Sequence, residues 1–353
     1  MNWRVGLPVA LVAAVLVLLP LAAIVELPGE TAVQEFFGQK YEEPCGATIH
    51  AGDSGAWREE EGAPLIRDGP SGVRAGRYVY LVGGIVSYDS KFEFVDGAEQ
   101  LERYDLGTRE WTELPPLPEQ LNHVNLAAAR GDLYVLGGLT AHLAKSAATA
   151  RSWRFDVDAG RWERLPPMPT ARGAAAAVTI GDRIYVAGGV ADEQSRTELE
   201  AFDLDTERWE RLAEMPTPRN HVGGATLGGL LYALGGRDDG DISLTNFESY
   251  DPAKDRWERL PGPPEPTAGF GFEAVKDRLV ASGGENLKYR VLTGRTWAYD
   301  PDTREWEALP SMDTPMHGHA MVEYRGRVYV FAGSRCSGYH PFRSASSMEV
   351  PPA

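Results

Sequence analysis

The sequence is poor in cysteine, with two in 353 residues, and short of positive charge, with 35 lysines and arginines against 51 aspartates and glutamates. A formal charge of −16 argues against nucleic acid and anionic lipid as general partners. Signatures of chemistry are missing as well. The chain has no phosphate-binding glycine loop, HExxH metal site, GxSxG nucleophile elbow or paired CxxC zinc site, so no cofactor, no metal and no catalytic residue is assigned. The run Asp238-Asp239-Gly240-Asp241 does not match the spacing of a calcium loop and reads as solvated loop acids.

Long apolar runs are absent but for one. Val5 to Val25 is apolar throughout apart from Gly6, Pro8 and Pro20, with Arg4 before it and Glu26 after it. Roughly 20 such residues span a bilayer as a helix, whereas the apolar region of a cleaved signal is usually shorter, about 7 to 15 residues. Residues 1–26 are therefore expected to be a hydrophobic helix acting as signal anchor, or else a signal peptide. In both cases Arg4 stays on the cytoplasmic side and the rest is exported, anchored to the cell membrane or released after cleavage. Residues 27–52 read as a linker, and 53–353 as one folded domain.

Against these absences stands a repeat. Six times a tryptophan is followed 27 residues later by the second residue of a Gly-Gly or Ala-Gly pair: Trp57 to Gly84, Trp111 to Gly138, Trp162 to Gly189, Trp209 to Gly236, Trp257 to Gly284 and Trp306 to Gly333. Successive tryptophans lie 54, 51, 47, 48 and 49 residues apart, so the variation in length falls after the glycines. A rigid half-module and a variable loop thus alternate.

The third copy shows its parts. An apolar stretch (Ala174 to Ile180), a Gly181-Asp182 turn and a β-branched and aromatic run (Ile184 to Val186) predict a hairpin. A third strand follows as LEAFD and a fourth begins at Trp209. Asp203 precedes that tryptophan by six residues, as Asp105, Asp156, Asp251 and Asp300 precede theirs, so an aspartate is expected to accept backbone N–H bonds at each tight bend. Each copy is then a four-stranded antiparallel sheet that buries its faces by radial stacking. Small residues in the first strands suit the crowded axis, and the aromatics read as packing between sheets.

Gly-Gly, Tyr/Phe-Asp, six residues to Trp, and a later Met-Pro or Leu-Pro together resemble the kelch motif, from about Trp57 to the C-terminus. That resemblance implies an all-β, six-bladed kelch β-propeller of the exported bacterial type. Trp57 has no glycine pair upstream and Gly333 no tryptophan downstream. One closing blade is therefore expected to be shared, with three strands from residues 318–350 and the outer strand from around Trp57. Cys45 precedes that strand and Cys336 lies in the loop of the same blade. A disulfide between them would lock the ring.

In such a blade the loops after strands two and four share one face, around the mouth of the channel. Ten residues after their tryptophans lie Arg67, Arg172 and Arg219; one to three residues further on come Asp68, Asn122, His123, Asn220, His221, His317 and His319. All of these but Asp68 are assigned to the expected ligand-binding ring: arginines suit a carboxylate or sulfate, and histidines move protons near neutral pH.

Two functions compete. The first is a membrane-tethered binding module presenting this face to a protein, peptide or glycan. The second is a carbohydrate enzyme, since exported six-bladed kelch propellers resemble the sialic acid mutarotase family. Arg172 and Arg219 would then clamp a carboxylate while His221 or His317 moves the proton. The copper radical oxidases of the kelch class need a cysteine cross-linked to tyrosine, and both cysteines here are expected to pair with each other.

Overall fold

The computed structural model describes residues 48–49, 55–87, 95–140, 147–336 and 341–352. The expectations for the hydrophobic run at residues 5–25 and for Cys45 lie outside them. Among the described residues no helix is long and apolar enough to cross a membrane.

Six antiparallel sheets of the repeat pattern follow one another. Blade 1 is Ser71–Ala75, Tyr78–Val82, Leu101–Asp105 and Trp111–Leu114. Blade 2 is Leu126–Ala129, Asp132–Thr140, Ala147–Asp156 and Arg161–Leu165. Blade 3 is Ala176–Ile180, Arg183–Ala187, Leu199–Asp203 and Arg208–Leu212. Blades 4 and 5 repeat the order with inner strands Gly223–Leu227 and Gly271–Val275. Blade 6 takes Ala320–Tyr324, Arg327–Phe331 and Ala345–Glu349 from the C-terminal end and Trp57–Glu59 as its outer strand, with Trp57 opposite Met348. Each inner strand touches the next, and that of blade 6 touches that of blade 1, so the ring is closed and leaves no open stack edge.

The repeated tryptophan does more than fill space. In all six copies its indole N–H donates to the carbonyl four residues after the preceding tryptophan: Trp111 to Glu61, Trp162 to Pro115, Trp209 to Pro166, Trp257 to Ala213, Trp306 to Pro261 and, across the closure, Trp57 to Pro310, all at 2.8–3.0 Å. A girdle of equal bonds runs around the rim. Five of the rings also pack on the aromatic of their own third strand, as Phe202 does on Trp209 at 5.1 Å, an arrangement that adds to burial.

The aspartates cap their bends as expected. Asp105 accepts from the Gly107 N–H, Asp156 from Ala159, Asp203 from Thr206, Asp251 from Ala253 and Asp300 from Asp302.

The glycine pairs have a tertiary reason. Gly189 N–H donates to the Arg219 carbonyl at 3.0 Å, and a Cβ on Gly188, which has φ 68°, would stand 2.9 Å from that oxygen. The pair is where one blade's second strand meets the chain leaving its fourth. Only a residue without Cβ fits so close an approach at positive φ.

The variable loops are not irregular throughout. Blade 1 extends into a small hairpin, Ile85–Ser87 with Val95–Gly97, and blade 3 into Val190–Ala191 with Gln194–Ser195. In blade 2 the long strands themselves continue outward and collect Leu121–Asn122. Blade 5 carries Glu285–Asn286 with Val291–Thr293, to which Thr48–Ile49 adds as a parallel strand. The expected linker thus includes a strand laid on the hairpin of blade 5.

Candidate functional site at the hairpin-bearing mouth

The segments that join one blade to the next converge at one end of the channel. Asp68, Asn122, Gly173, Asn220, Ala268 and His317 each bridge to the residue following a glycine pair: Ile85, Leu139, Val190, Arg237, Glu285 and Ser334. Loops after strands two and four therefore do share a face. One residue further on, Gly69, His123, Ala174, His221, Gly269 and Gly318 all have φ between 47° and 62°. Backbone bonds link this annulus, from Gly69 N–H to the Gly318 carbonyl, Ala174 to His123, His221 to Ala174 and Gly318 to Gly269, at 2.7–2.9 Å. A left-handed conformation costs a non-glycine residue roughly 1–2 kcal/mol. Placing histidines there at two of six positions marks their side chains as functional candidates.

The three arginines are a correction to the expected ring. Arg67, Arg172 and Arg219 are fully buried, and each is paired with a glutamate of the next blade's third strand: Glu102 at 2.6 Å, Glu200 at 2.5 Å and Glu248 at 2.6 Å. Their remaining Nη donors go to backbone carbonyls, of Gly83 and Gln100, of Thr170 and Val186, and of Thr217 and Ala233. Burial pulls the Arg67 guanidinium down to about 10, against the pull of Glu102. These guanidiniums face the blades, and a ligand at the mouth cannot reach them. His319 is a second correction. It is buried at the blade 5 to blade 6 contact, where Nε2 accepts the Gly271 N–H at 3.1 Å.

The other expected residues do meet. His123 and His221 pack edge to face with centroids 4.6 Å apart, with Ala174 between them in the annulus. Each is bonded through Nδ1 to the asparagine before it, Asn122 at 2.7 Å and Asn220 at 2.5 Å. Burial and the nearby Arg237 charge hold His123 down to about 4 and His221 well below its ordinary value, so both rings are neutral at physiological pH. Nδ1 then carries the proton and Nε2 accepts. For His221 the donor is Arg237 Nη2 at 3.2 Å, and Arg237 Nε also donates to Asn220 Oδ1. On the other side of the mouth His317 donates through Nε2 to the Cys336 carbonyl at 2.9 Å, and its Nδ1 lies 3.5 Å from Glu285 Oε1. Asp68, within the field of both, is pushed up to about 6, chiefly by burial.

Among the described residues two buried atoms at this mouth have no hydrogen-bond partner, Asp68 Oδ1 and Asn122 Nδ2. Such atoms are rare in folded proteins and call for an explanation. Arg237 and Glu285 escaped the sequence reading, which followed offsets from tryptophan. Their signal was a charge directly after the glycine pair, where blades 1 to 3 have Ile85, Leu139 and Val190.

Below the mouth, inner strands enclose a cavity of about 310 Å³ lined mostly by small and apolar residues, with Arg74, Glu273 and Glu323 on one side. Burial pushes Glu273 up to about 7. In the loop of blade 4 the acids are engaged locally: Asp238 Oδ1 accepts from Gly240 and Ile242, and Asp239 Oδ1 from the Ser195 N–H.

The family model for the KLHDC2/KLHL20/DRC7 kelch-repeats domain matches residues 69–284 and 123–333. The chain belongs to the kelch-repeat family. It is similar to the Kelch-like protein terF of Aspergillus terreus, 36% identical over 38% of this chain and 28% of that protein. It is also similar to the kelch repeat and BTB domain-containing protein 12 of Danio rerio, 28% identical over 39% of this chain and 22% of the relative. Beta-scruin of Limulus polyphemus is 28% identical over 40% of this chain and 15% of its own length. The matched stretches thus span less than a third of each of these kelch relatives.

Proposed function

We propose that this kelch propeller is a binding module, exported and tethered through residues 5–25, that presents its hairpin-bearing face to a protein partner. The carrying observation is where apolar surface is left exposed. Among the described residues the large apolar side chains with high exposure are Ile66, Ile242 and Tyr289, at 49, 44 and 65%. All three belong to loops of that one face, around the polar mouth. Scattered exposed apolar groups mean little, but their restriction to one face, beside protruding hairpins, fits a protein interface with one aromatic and two aliphatic anchors.

The carbohydrate-enzyme reading has less to stand on, because its carboxylate clamp required Arg172 and Arg219, both consumed by Glu200 and Glu248. A glycan or free peptide on the same face is the finer alternative to a folded partner.

Photo-crosslinking in intact cells tests the module reading. A crosslinker at Tyr289 or Glu193, on the hairpin face, should yield a discrete protein adduct, and one at Asp302 or Gly228, on the opposite turns, should not. Adducts from the opposite face alone, or none from either, would sink it. Membrane fractionation of the same cells checks the tether, which predicts that the chain sediments with membranes and resists extraction by carbonate.

A further inference from the structure

Around the annulus the side chains are unevenly shared. His123 and His221 crowd one half, whereas Gly269, Gly318 and Gly69 follow one another through the other half. Apart from its chain neighbours, a Cβ at Gly69 would meet His123 Nε2 at 3.7 Å, and one at Gly269 nothing closer than 3.4 Å. A side chain would therefore find room above these glycines. At Gly318 the neighbour is different. A Cβ there would come within 2.2 Å of Asp68 Oδ1, so the glycine leaves that oxygen its place at the rim.

Two hydrogen-bond acceptors border this gap, Asp68 and His123, and beside Gly269 stands the His317 ring, whose Nδ1 would lie 3.7 Å from a Cβ there. Asp68 is 7% exposed and its Oδ1 has no partner. His123 has committed its Nδ1 proton to Asn122, which turns an acceptor nitrogen toward Gly69. The Glu285 carboxylate stands behind, 3.5 Å from His317 Nδ1. A buried carboxylate oxygen without a donor is unfavourable, and a cation with N–H groups is what relieves it. The chain as a whole, at −16, attracts cations to its surface before any contact forms.

We propose that this gap receives the cationic side chain of a bound partner, a lysine ammonium or an arginine guanidinium, with Asp68 Oδ1 and His123 Nε2 as its acceptors. This rests on the binding-module reading and names the chemistry its partner must bring. Burial raises the Asp68 carboxyl to about 6 against the opposing pull of His317, so the charge it already faces does not make good what burial takes away. Arg237 does not oppose the ligand directly, since its guanidinium is turned to Asn220, His221 and Asp241.

The test uses the full chain and four capped pentapeptides that differ only at the centre: Gly-Gly-X-Gly-Gly with X arginine, lysine, glutamine or glutamate. Binding is read from the histidine ring resonances in solution. The arginine and lysine peptides are expected to shift the His123 signals saturably, and the glutamine and glutamate peptides are not. Asp68→Asn should weaken the cationic peptides roughly tenfold or more, as for loss of a charge-assisted bond. Asp302→Asn, which removes one charge from the opposite face, should leave them unchanged, and thermal unfolding of each variant verifies its fold. Equal loss in both variants would reduce the effect to general attraction and overturn the site. Methylguanidinium and ethylammonium binding as tightly as the peptides would overturn a partner side chain as the source. Binding of the glutamate peptide alone would overturn the cation while leaving a binding face in place; absence of crosslinked partners would instead count against the module itself.

Discussion

Arg67 and Asp68 are adjacent in the chain and both buried, yet they have opposite relations to their surroundings. The Arg67 Nη donors meet Glu102 and two backbone carbonyls, so its charge is paired although its Nε is not, whereas Asp68 keeps a carboxylate oxygen with no donor. The same contrast separates two layers of the propeller. In the arginine layer, Arg67, Arg172 and Arg219 tie each departing chain to the next blade. In the mouth layer, Asp68, Asn122 and His123 present atoms with spare capacity. Residue type and offset from the tryptophan do not distinguish a tie from a site. What distinguishes them is whether the fold supplies an opposite charge in hydrogen-bond contact, as it does for each arginine.

The largest effect should come from breaking a tie. Removing one member of a buried ion pair strands the other charge and costs about 3–5 kcal/mol. Arg172→Met is expected to lower stability by that amount in denaturant unfolding. Adding Glu200→Met should recover part of the loss, because it removes a carboxylate left with only Thr170 Oγ1 and, at 3.7 Å, Arg211. A double variant as unstable as the single one would show that the guanidinium's carbonyl contacts, and not the pair, hold the junction.

Breaking the mouth should do the reverse. Asp68 rises from 3.8 to about 6 on folding. Its contribution is thus fully favourable below about pH 4 and is lost as pH rises through 6, a span worth about 3 kcal/mol. Asp68→Asn should therefore stabilise the protein at pH 8 by up to about that amount and do little at pH 4. Melting curves at the two pH values decide it. A neutral or destabilising change at pH 8 would mean that the pull of His317 on the carboxylate outweighs burial, and would place it with the ties.

Much of the fold was legible because its determinants are local and periodic. Trp57 without a glycine pair upstream and Gly333 without a tryptophan downstream announced the shared blade, and Asp203 six residues before Trp209 announced the bend. The fate of the arginines was harder to read because the partner lies in another strand, 28 to 35 residues away. A signal was nevertheless present. Glutamate stands two residues before the third-strand aromatic at Glu102, Glu200 and Glu248, in the blades preceded by Arg67, Arg172 and Arg219. Where Leu121, Thr267 or Met316 replaces the arginine, the matching positions are Trp153, Trp297 and Ser346. Arginine and glutamate occur together or not at all, as a pair that would be costly to leave half made. The mouth offered no such pairing to read. Its geometry depends on backbone at positive φ and on rings from separate blades meeting at 4.6 Å.

The smallest test stays within the mouth layer. Asn220 and Asn122 occupy equivalent positions, each bonded through Oδ1 to the histidine that follows. Asn220 also donates through Nδ2 to Ser195 Oγ at 2.9 Å. At the equivalent hairpin position blade 1 has Gly97, which pairs with Ile85 as Ser195 pairs with Val190, and there Asn122 Nδ2 is without a partner. No side chain can be restored, since a Cβ on Gly97 would stand 2.8 Å from the backbone of Leu121. Ser195→Ala should accordingly make blade 3 resemble blade 1, leaving Asn220 Nδ2 unbonded at a cost of about 1 kcal/mol. A loss of that size in thermal unfolding would measure what the fold gives up at Asn122. No loss would show that solvent serves an amide at this depth, and the spare capacity of the mouth would then rest on Asp68 alone.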